Sequence, residues 1–203
     1  MLGKLYNTSP IASKGSFFTM IFDLQPTLSN HLVSIRPLQS TDFEALFAAG
    51  SDPAIWAGHP DTQRYELEGF KRYFDGIMAS GGAMVVFDVV TAQMIGSSTY
   101  YDLDFDNKSV GIGYTFLVKQ YWGTAYNASI KTLLINHAMN FLVKVIFHIR
   151  DTNIISQKAI AKIGAIQAEP TDKSYYDGPY KEHLIYEIDK KSWQTNPLYL
   201  MTR

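Results

Sequence analysis

The feature that most constrains the fold is a change of hydrophobic period between Ala83 and Arg150. Three runs, Ala83 to Val90, Met94 to Tyr101 and Ser109 to Val118, have the composition of strands and are separated by short gaps around Thr91 and through DLDFDNK. Gaps that short favour antiparallel hairpins. From Thr124 to Leu142 the period becomes helical, with Ile130, Leu133, Leu134, Ala138, Phe141 and Leu142 on one stripe, and Val143 to Arg150 returns to a strand. A strand, a long helix and a strand in succession form a crossover that sets its two strands parallel. The expected layout is therefore a mixed, mostly antiparallel sheet covered by helices on both faces.

The flanking segments extend this reading. His31 to Leu38 alternates apolar and polar residues and ends at a proline, as an opening strand would. Ser40, Thr41 and Asp42 precede an apolar face at helical spacing that stops near Gly50. Phe70, Tyr73, Phe74 and Ile77 recur at three and four residues within Glu66 to Met78, which ends at the Gly81-Gly82 break. Ile154 to Ile163 is a further helix with Gly164 as its cap. Ile166 to Tyr176 and Tyr180 to Ile188 close the chain as two strands about an Asp177-Gly178 turn, giving seven strands. A chain of 203 residues with 46% hydrophobic content suits one domain, placed at 20–195. Residues 1–19 lack either periodicity and read as an extension, and 196–203 as a tail.

Composition narrows the function classes. With 18 basic and 19 acidic residues there is no global field to draw nucleic acid or an anionic membrane. The absence of cysteine removes thiolate metal sites and cysteine nucleophiles, and the five histidines lack metal-ligand spacing, so no metal is expected. No run approaches the roughly 20 apolar residues needed to span a bilayer. No apolar signal segment is visible either, and a cytoplasmic location is expected.

The stretch KQYWGTAYN, Lys119 to Asn127, stands between a strand pattern and a helix pattern. The first N–H groups of a helix are unpaired and carry the positive end of its dipole, so such a turn can hold a pyrophosphate without a lysine. Gly123 would let the backbone approach the oxygens, and Ala125 is small enough not to block them. The GxxxxGK pattern of a P-loop is absent. The pair Gly111 and Gly113 lacks the third glycine of a dinucleotide fingerprint and lies inside a strand pattern.

Gln120-Tyr121-Trp122-Gly123-Thr124-Ala125 resembles the Q/R-x-x-G-x-G/A signature of the GNAT family of acetyl-CoA-dependent N-acetyltransferases. IRPL near the start, IGYTFLVKQYWGTAYN, the run N-x-x-S-Q-K-A-I-x-K-I-G-A from Asn153 to Ala165, and DGPYKEHLIYEIDKKSW are similar to its RimJ/RimL-like branch. The resemblance implies transfer of an acetyl group from acetyl-CoA to a primary amine, either a protein N-terminus or a small amine. A non-catalytic acyl-CoA-binding module of the same fold is the alternative. It further implies that Phe116, Leu117 and Val118 offer backbone to the pantetheine arm, with the Val118 N–H as oxyanion donor. The turn of Gln120, Tyr121, Trp122, Gly123, Thr124, Ala125, Tyr126 and Asn127 would hold the pyrophosphate, and Lys158 a CoA phosphate.

Asn153 would bond the pantetheine amides, or serve as a plain helix cap. Many family members carry a tyrosine seven residues after that asparagine, where this chain has Ile160. Ser156 takes its place as candidate acid, or bonds its own backbone. Asp102, Asp104 and Glu182 are the candidate bases, each also readable as a solvated surface acid. Tyr100, Tyr101, Tyr114, Tyr175 and Tyr176 could line the acceptor groove. Dimers are common among similar proteins, which leaves a homodimer as an open option.

Overall fold

A computed structural model describes residues 22–59, 61–168 and 183–200. The described residues form an eight-stranded sheet: β1 (Leu28–Ser29), β2 (Val33–Pro37), β3 (Ala83–Asp88), β4 (Met94–Asp104), β5 (Ser109–Leu117), β6 (Lys144–Arg150), β7 (Ile166–Gln167) and β8 (His183–Asp189). Their spatial order is β1-β2-β3-β4-β5-β6-β8-β7. All pairs are antiparallel except β5 with β6, which are joined by the expected crossover helix. Seven strands were expected. The eighth, β1, is two residues long and carries no period that a sequence could show.

The helices are α1 (Phe43–Ala49), α2 (Pro53–Trp56), α3 (Leu67–Ala79), α4 (Tyr126–Phe141), α5 (Ile154–Lys162), α6 (Lys190–Gln194) and α7 (Pro197–Leu200). α3 buries Phe70, Tyr73, Phe74 and Ile77, the stripe its spacing predicts. Strand β3 explains why the central run reads as almost wholly apolar. Its Ala83 and Val85 join Leu46, Trp56 and Phe70 of the first helices, while Met84 and Val86 join Ile130, Leu134 and Ala138 of α4. Side chains alternate across a strand, so one strand feeds two cores and needs apolar residues at every position. Trp193 and the partly buried Leu198 and Tyr199 pack on the α4 core, and the Asn196 amide donates to Ile163 O at 3.0 Å. The segment set apart from the sequence as a tail thus meets the core at α7.

The sheet is not closed along β5 and β6. Their pairing covers Ser109 to Gly111 against Lys144 to Ile146 and then stops, while β6 continues to Arg150 on β8 alone. Two irregularities re-aim the strands beside the gap. Ser97 pairs with Phe116 but Thr99 with Gly113, so β5 carries one extra residue, and Tyr114 there has φ 50°. Near the hairpin end the extra residue is on β4, where Asp102 has φ 48°.

Candidate active site

The gap between β5 and β6 is occupied by two adjoining cavities, one of about 200 Å³ and one of about 140 Å³. Gly58, His59, Thr115, Asn127, Asn153 and Ser156 line both. The larger cavity reaches Tyr121, Trp122 and Gly123 at the turn into α4. The smaller one runs toward Tyr114, Lys131 and His148.

The turn is held from below by one carboxylate. Lys119–Tyr121 makes a single 3-10 turn, Gly123 adopts φ 73°, and α4 begins at Tyr126 with no side chain capping it. Asp88, at the end of β3, receives the Tyr121 hydroxyl at 2.8 Å and the Tyr126 hydroxyl at 3.1 Å on Oδ2. Its Oδ1 accepts from Val90 N and Thr91 N. The two tyrosines are thereby fixed under the turn, leaving Trp122, Gly123, Thr124 and Ala125 exposed above it. Burial alone would push the Asp88 carboxyl up. The hydrogen bonds from Tyr121, Val90, Thr91 and Tyr126 outweigh burial and hold it below its ordinary range. A carboxylate depressed in the fold contributes stability above its unfolded pKa of about 3.9, and that contribution is lost as pH falls through the folded value. Urea unfolding should therefore show Asp88→Asn less stable than wild type by a constant margin at neutral pH. The margin should shrink below about pH 4; a margin that does not change with pH would show that the charge is not what the turn uses.

Strand β5 exposes one edge to the cavities. The Val118 N–H donates to Ile95 O at 2.8 Å, inside the sheet, so it does not face the gap and cannot be the oxyanion donor expected from the sequence. Successive N–H groups of a strand point to opposite edges, which turns Leu117 toward the gap. The Leu117 carbonyl there accepts from Trp122 Nε1 at 2.8 Å. Spacing along a strand shows the alternation, but its phase is set by the pairing partner, here Ile95.

Asn153 begins α5 and its Oδ1 accepts from Ser156 N at 3.1 Å, so the plain cap is present. The same residue borders both cavities, and a side chain on Gly58 would meet it at 3.2 Å. Ser156, Ala159 and Ile160 share the face of α5 that lines the smaller cavity. Lys158 is exposed and borders neither cavity.

The proton-handling residues expected from the sequence are placed differently. Asp102 and Asp104 line a separate cavity at the β4–β5 hairpin end, which shares only His148 with the smaller cavity. Asp104 also accepts from Asn107 N and Nδ2. Neither borders the two cavities of the β5–β6 gap, which corrects them as bases for this site; Asp102 also lines a further cavity that shares Tyr114 with the smaller one. Glu182, Tyr175 and Tyr176 lie outside the described residues. Tyr100 is fully buried, with its hydroxyl donating to Leu134 O, and belongs to the core instead of a groove. Tyr114 borders the smaller cavity. The Tyr101 ring lies over Gly111 and Gly113, where a Cβ would come within 2.6 Å and 2.8 Å of it, and its hydroxyl bonds His148 Nδ1 at 2.9 Å. The paired glycines of β5 thus seat an aromatic ring from β4.

Two residues the sequence did not single out face this site. His59 is held neutral, its pKa pushed down to about 4 by burial and then by the Arg64 and Arg150 charges. Arg64 is 7% exposed and lies 5.0 Å from the Tyr73 ring and 5.6 Å from the Trp56 ring; its Nη1 has no hydrogen-bond partner among the described residues. Lys131 is 3% exposed and donates to Thr115 Oγ1 at 2.6 Å. Its signal was available, since Lys131, Leu134, Ile135 and Ala138 are spaced on one helical face. Among the described residues no group of three or more His, Cys, Asp or Glu could hold a metal ion, and no helix is long and apolar enough to cross a membrane.

Residues 33–166 match the family model described as acetyltransferase (GNAT) domain. No curated protein matches the sequence significantly. Among solved structures, a GCN5-related N-acetyltransferase from Brucella melitensis is 14% identical, with 87% of this chain and 83% of that chain covered and a TM-score of 0.76. Mycobacterium smegmatis RimJ, solved with CoA-disulfide, is 15% identical over 84% of this chain and 88% of its own, with a TM-score of 0.67. Spermidine N-acetyltransferase from Vibrio cholerae, solved with CoA and spermine, is 12% identical over 81% of this chain and 99% of its own, with a TM-score of 0.62.

Proposed function

Because the chain belongs to the GNAT acetyltransferase family, we propose that it is a RimJ/RimL-like enzyme that moves the acetyl group of acetyl-CoA onto a primary amine of a protein N-terminus or a small molecule. Acetyl-CoA-dependent acyl transfer is the activity of that family. The observation that carries the finer reading is the pair of adjoining cavities that runs from the Gly123 turn, past Asn153 and Ser156, to the polar pocket at Tyr114.

In this reading CoA lies along the larger cavity. The exposed turn from Gln120 to Asn127 receives the pyrophosphate on N–H groups at the start of α4, with the helix dipole behind them. The pantetheine arm follows the open edge of β5 at Phe116 and Leu117, and the Asn153 amide, its Oδ1 used by the cap, offers Nδ2 to it. Lys158 meets a CoA phosphate from solvent. The Leu117 N–H replaces that of Val118 as the donor aimed at the thioester oxygen, where it stabilises charge that develops during attack. Ser156 gives a proton to the departing sulfur. It is suited to this because Ser156 borders both cavities. The amine enters through the smaller cavity. Two similar structures support the two acceptor classes: spermidine N-acetyltransferase from Vibrio cholerae, solved with CoA and spermine, for a small amine, and a putative ribosomal-protein-serine acetyltransferase from Vibrio cholerae for a protein.

The test incubates the protein with acetyl-CoA and either spermidine or an alanine-initiated hexapeptide, and measures free thiol and acetylated product. One of them should give turnover. Ser156→Ala should lower kcat more than it raises the CoA dissociation constant, by the roughly 100-fold or more typical of a lost acid. CoA binding without thiol release from any amine would instead show a binding module.

A further inference from the structure

The reading above gives the departing sulfur a proton donor and leaves open which described residue takes the proton of the incoming amine. No carboxylate lines either cavity among the described residues. The titratable or charged groups that face the smaller cavity are His59 from the loop after α2, Tyr114 from β5, Lys131 from α4, His148 and Arg150 from β6, and His183 from β8. Arginine does not give up its proton in proteins. His59 sits among positive charges that oppose a further proton, and His148 Nδ1 is engaged by the Tyr101 hydroxyl.

Lys131 differs from all of these in its surroundings. Its side chain rises from the buried face of α4 into the gap between β5 and β6. The Nζ lies 2.6 Å from Thr115 Oγ1 and 5.8 Å from the centre of the Phe147 ring, and it forms no ion pair with a carboxylate among the described residues. Thr115 Oγ1 in turn bonds Ser98 Oγ at 2.8 Å. Thr115 is on the splayed edge of β5 and borders both cavities, so it fixes the amine where the two meet.

Resting on the acetyltransfer reading above, we infer that Lys131, held by Thr115 at the floor of the smaller cavity, is the proton acceptor for the attacking amine. The acceptor arrives as an ammonium and passes one proton to the Nζ lone pair. The freed nitrogen forms the C–N bond as the C–S bond breaks. The second proton leaving that nitrogen passes to the Ser156 hydroxyl as that hydroxyl gives its own to the CoA sulfur, and Nζ returns its own to solvent. An ammonium buried here without a carboxylate is destabilised. Burial accordingly pushes the Lys131 pKa down to about 7, so a good fraction is the free base at neutral pH. A proton acceptor works best when its pKa lies near the working pH.

The experiment compares wild type, Lys131→Met and Lys131→Arg in the full chain, using whichever of spermidine or the hexapeptide turns over, across pH 5.5 to 9. Wild-type kcat should fall about tenfold per unit below pH 7, and Lys131→Met should lose about 100-fold in kcat and that limb of the profile, with the KM for acetyl-CoA little changed. Lys131→Arg keeps a cation and donor but cannot deprotonate, so it should be as slow as Lys131→Met. A purely structural lysine would be rescued by arginine or leave the acidic limb in place, and either result overturns the inference. A second readout needs no acceptor: NMR of 13Cε-labelled lysine in the folded protein should show one resonance, absent from Lys131→Met, titrating near pH 7. Titration of that resonance near its ordinary 10.4 also overturns the inference. Wild type without turnover on any amine sinks the acetyltransfer reading itself, and the role of Lys131 with it, whatever the NMR midpoint.

Discussion

At a CoA concentration 100 times its dissociation constant, the wild-type protein is expected to melt roughly 5–11 °C higher than without it, and Ala159→Phe not to respond. Ligand at that excess stabilises by about 2.7 kcal/mol, and each kcal/mol is worth about 2–4 °C in a chain of this size. Ala159 is the position to change because it lies on the cavity face of α5, one turn past Ser156, and borders both cavities. A phenylalanine there projects into open space instead of the core, so the unliganded protein should keep its melting temperature. The helix also tolerates the residue, since Ala159 is interior to α5 and well inside its cap. The alternative of blocking the turn at Gly123 is less clean. A Cβ would find open space there, but the φ of 73° strains any other residue, so fold and binding would change together. A CoA-induced shift that survives in Ala159→Phe would show that the arm does not pass between α5 and β5.

The second large effect lies away from the site. Trp193→Ala is expected to lower the melting temperature by roughly 6–20 °C, from a loss of about 3–5 kcal/mol for a large buried aromatic. Trp193 is fully buried in the α4 core, and its Nε1 donates to Asn136 Oδ1 at 2.7 Å. It therefore ties α6, just after β8, to the helix whose first turn, at Asn127, borders both cavities. At 20 °C the fraction that remains folded should still bind CoA with near wild-type affinity, because Trp193 lines neither cavity. Calorimetry separates the two. A shift below about 2 °C would mean that the core closes around the missing indole.

Where the sequence was legible, it was through periodicity and punctuation. The α3 stripe, the crossover through α4 and the parallel pairing of β5 with β6 follow from spacings that any packed chain must respect. The turn at Gly123 was legible for a similar reason, since a glycine between a strand and a helix start leaves few backbone paths. Four particulars were not. The phase of the β5 edge was misassigned to Val118 because Ile95, 23 residues earlier, decides which N–H faces the gap. Nothing in the spacing of Asp102 and Asp104 shows that neither borders the cavities of the gap. Asp88, which accepts four hydrogen bonds under the Gly123 turn, reads in the sequence as an ordinary strand-end acid. The glycines of β5 carry no sign of the Tyr101 ring they seat.

By itself the sequence determined the family, the order of elements and the place of the glycine turn before α4, all of which rest on patterns among near neighbours in the chain. Only the tertiary structure decided which groups can handle protons. That depends on burial and charge contributed by distant segments, and a lysine in α4 becomes a candidate base only when the fold buries it beside Thr115 of β5 and Phe147 of β6.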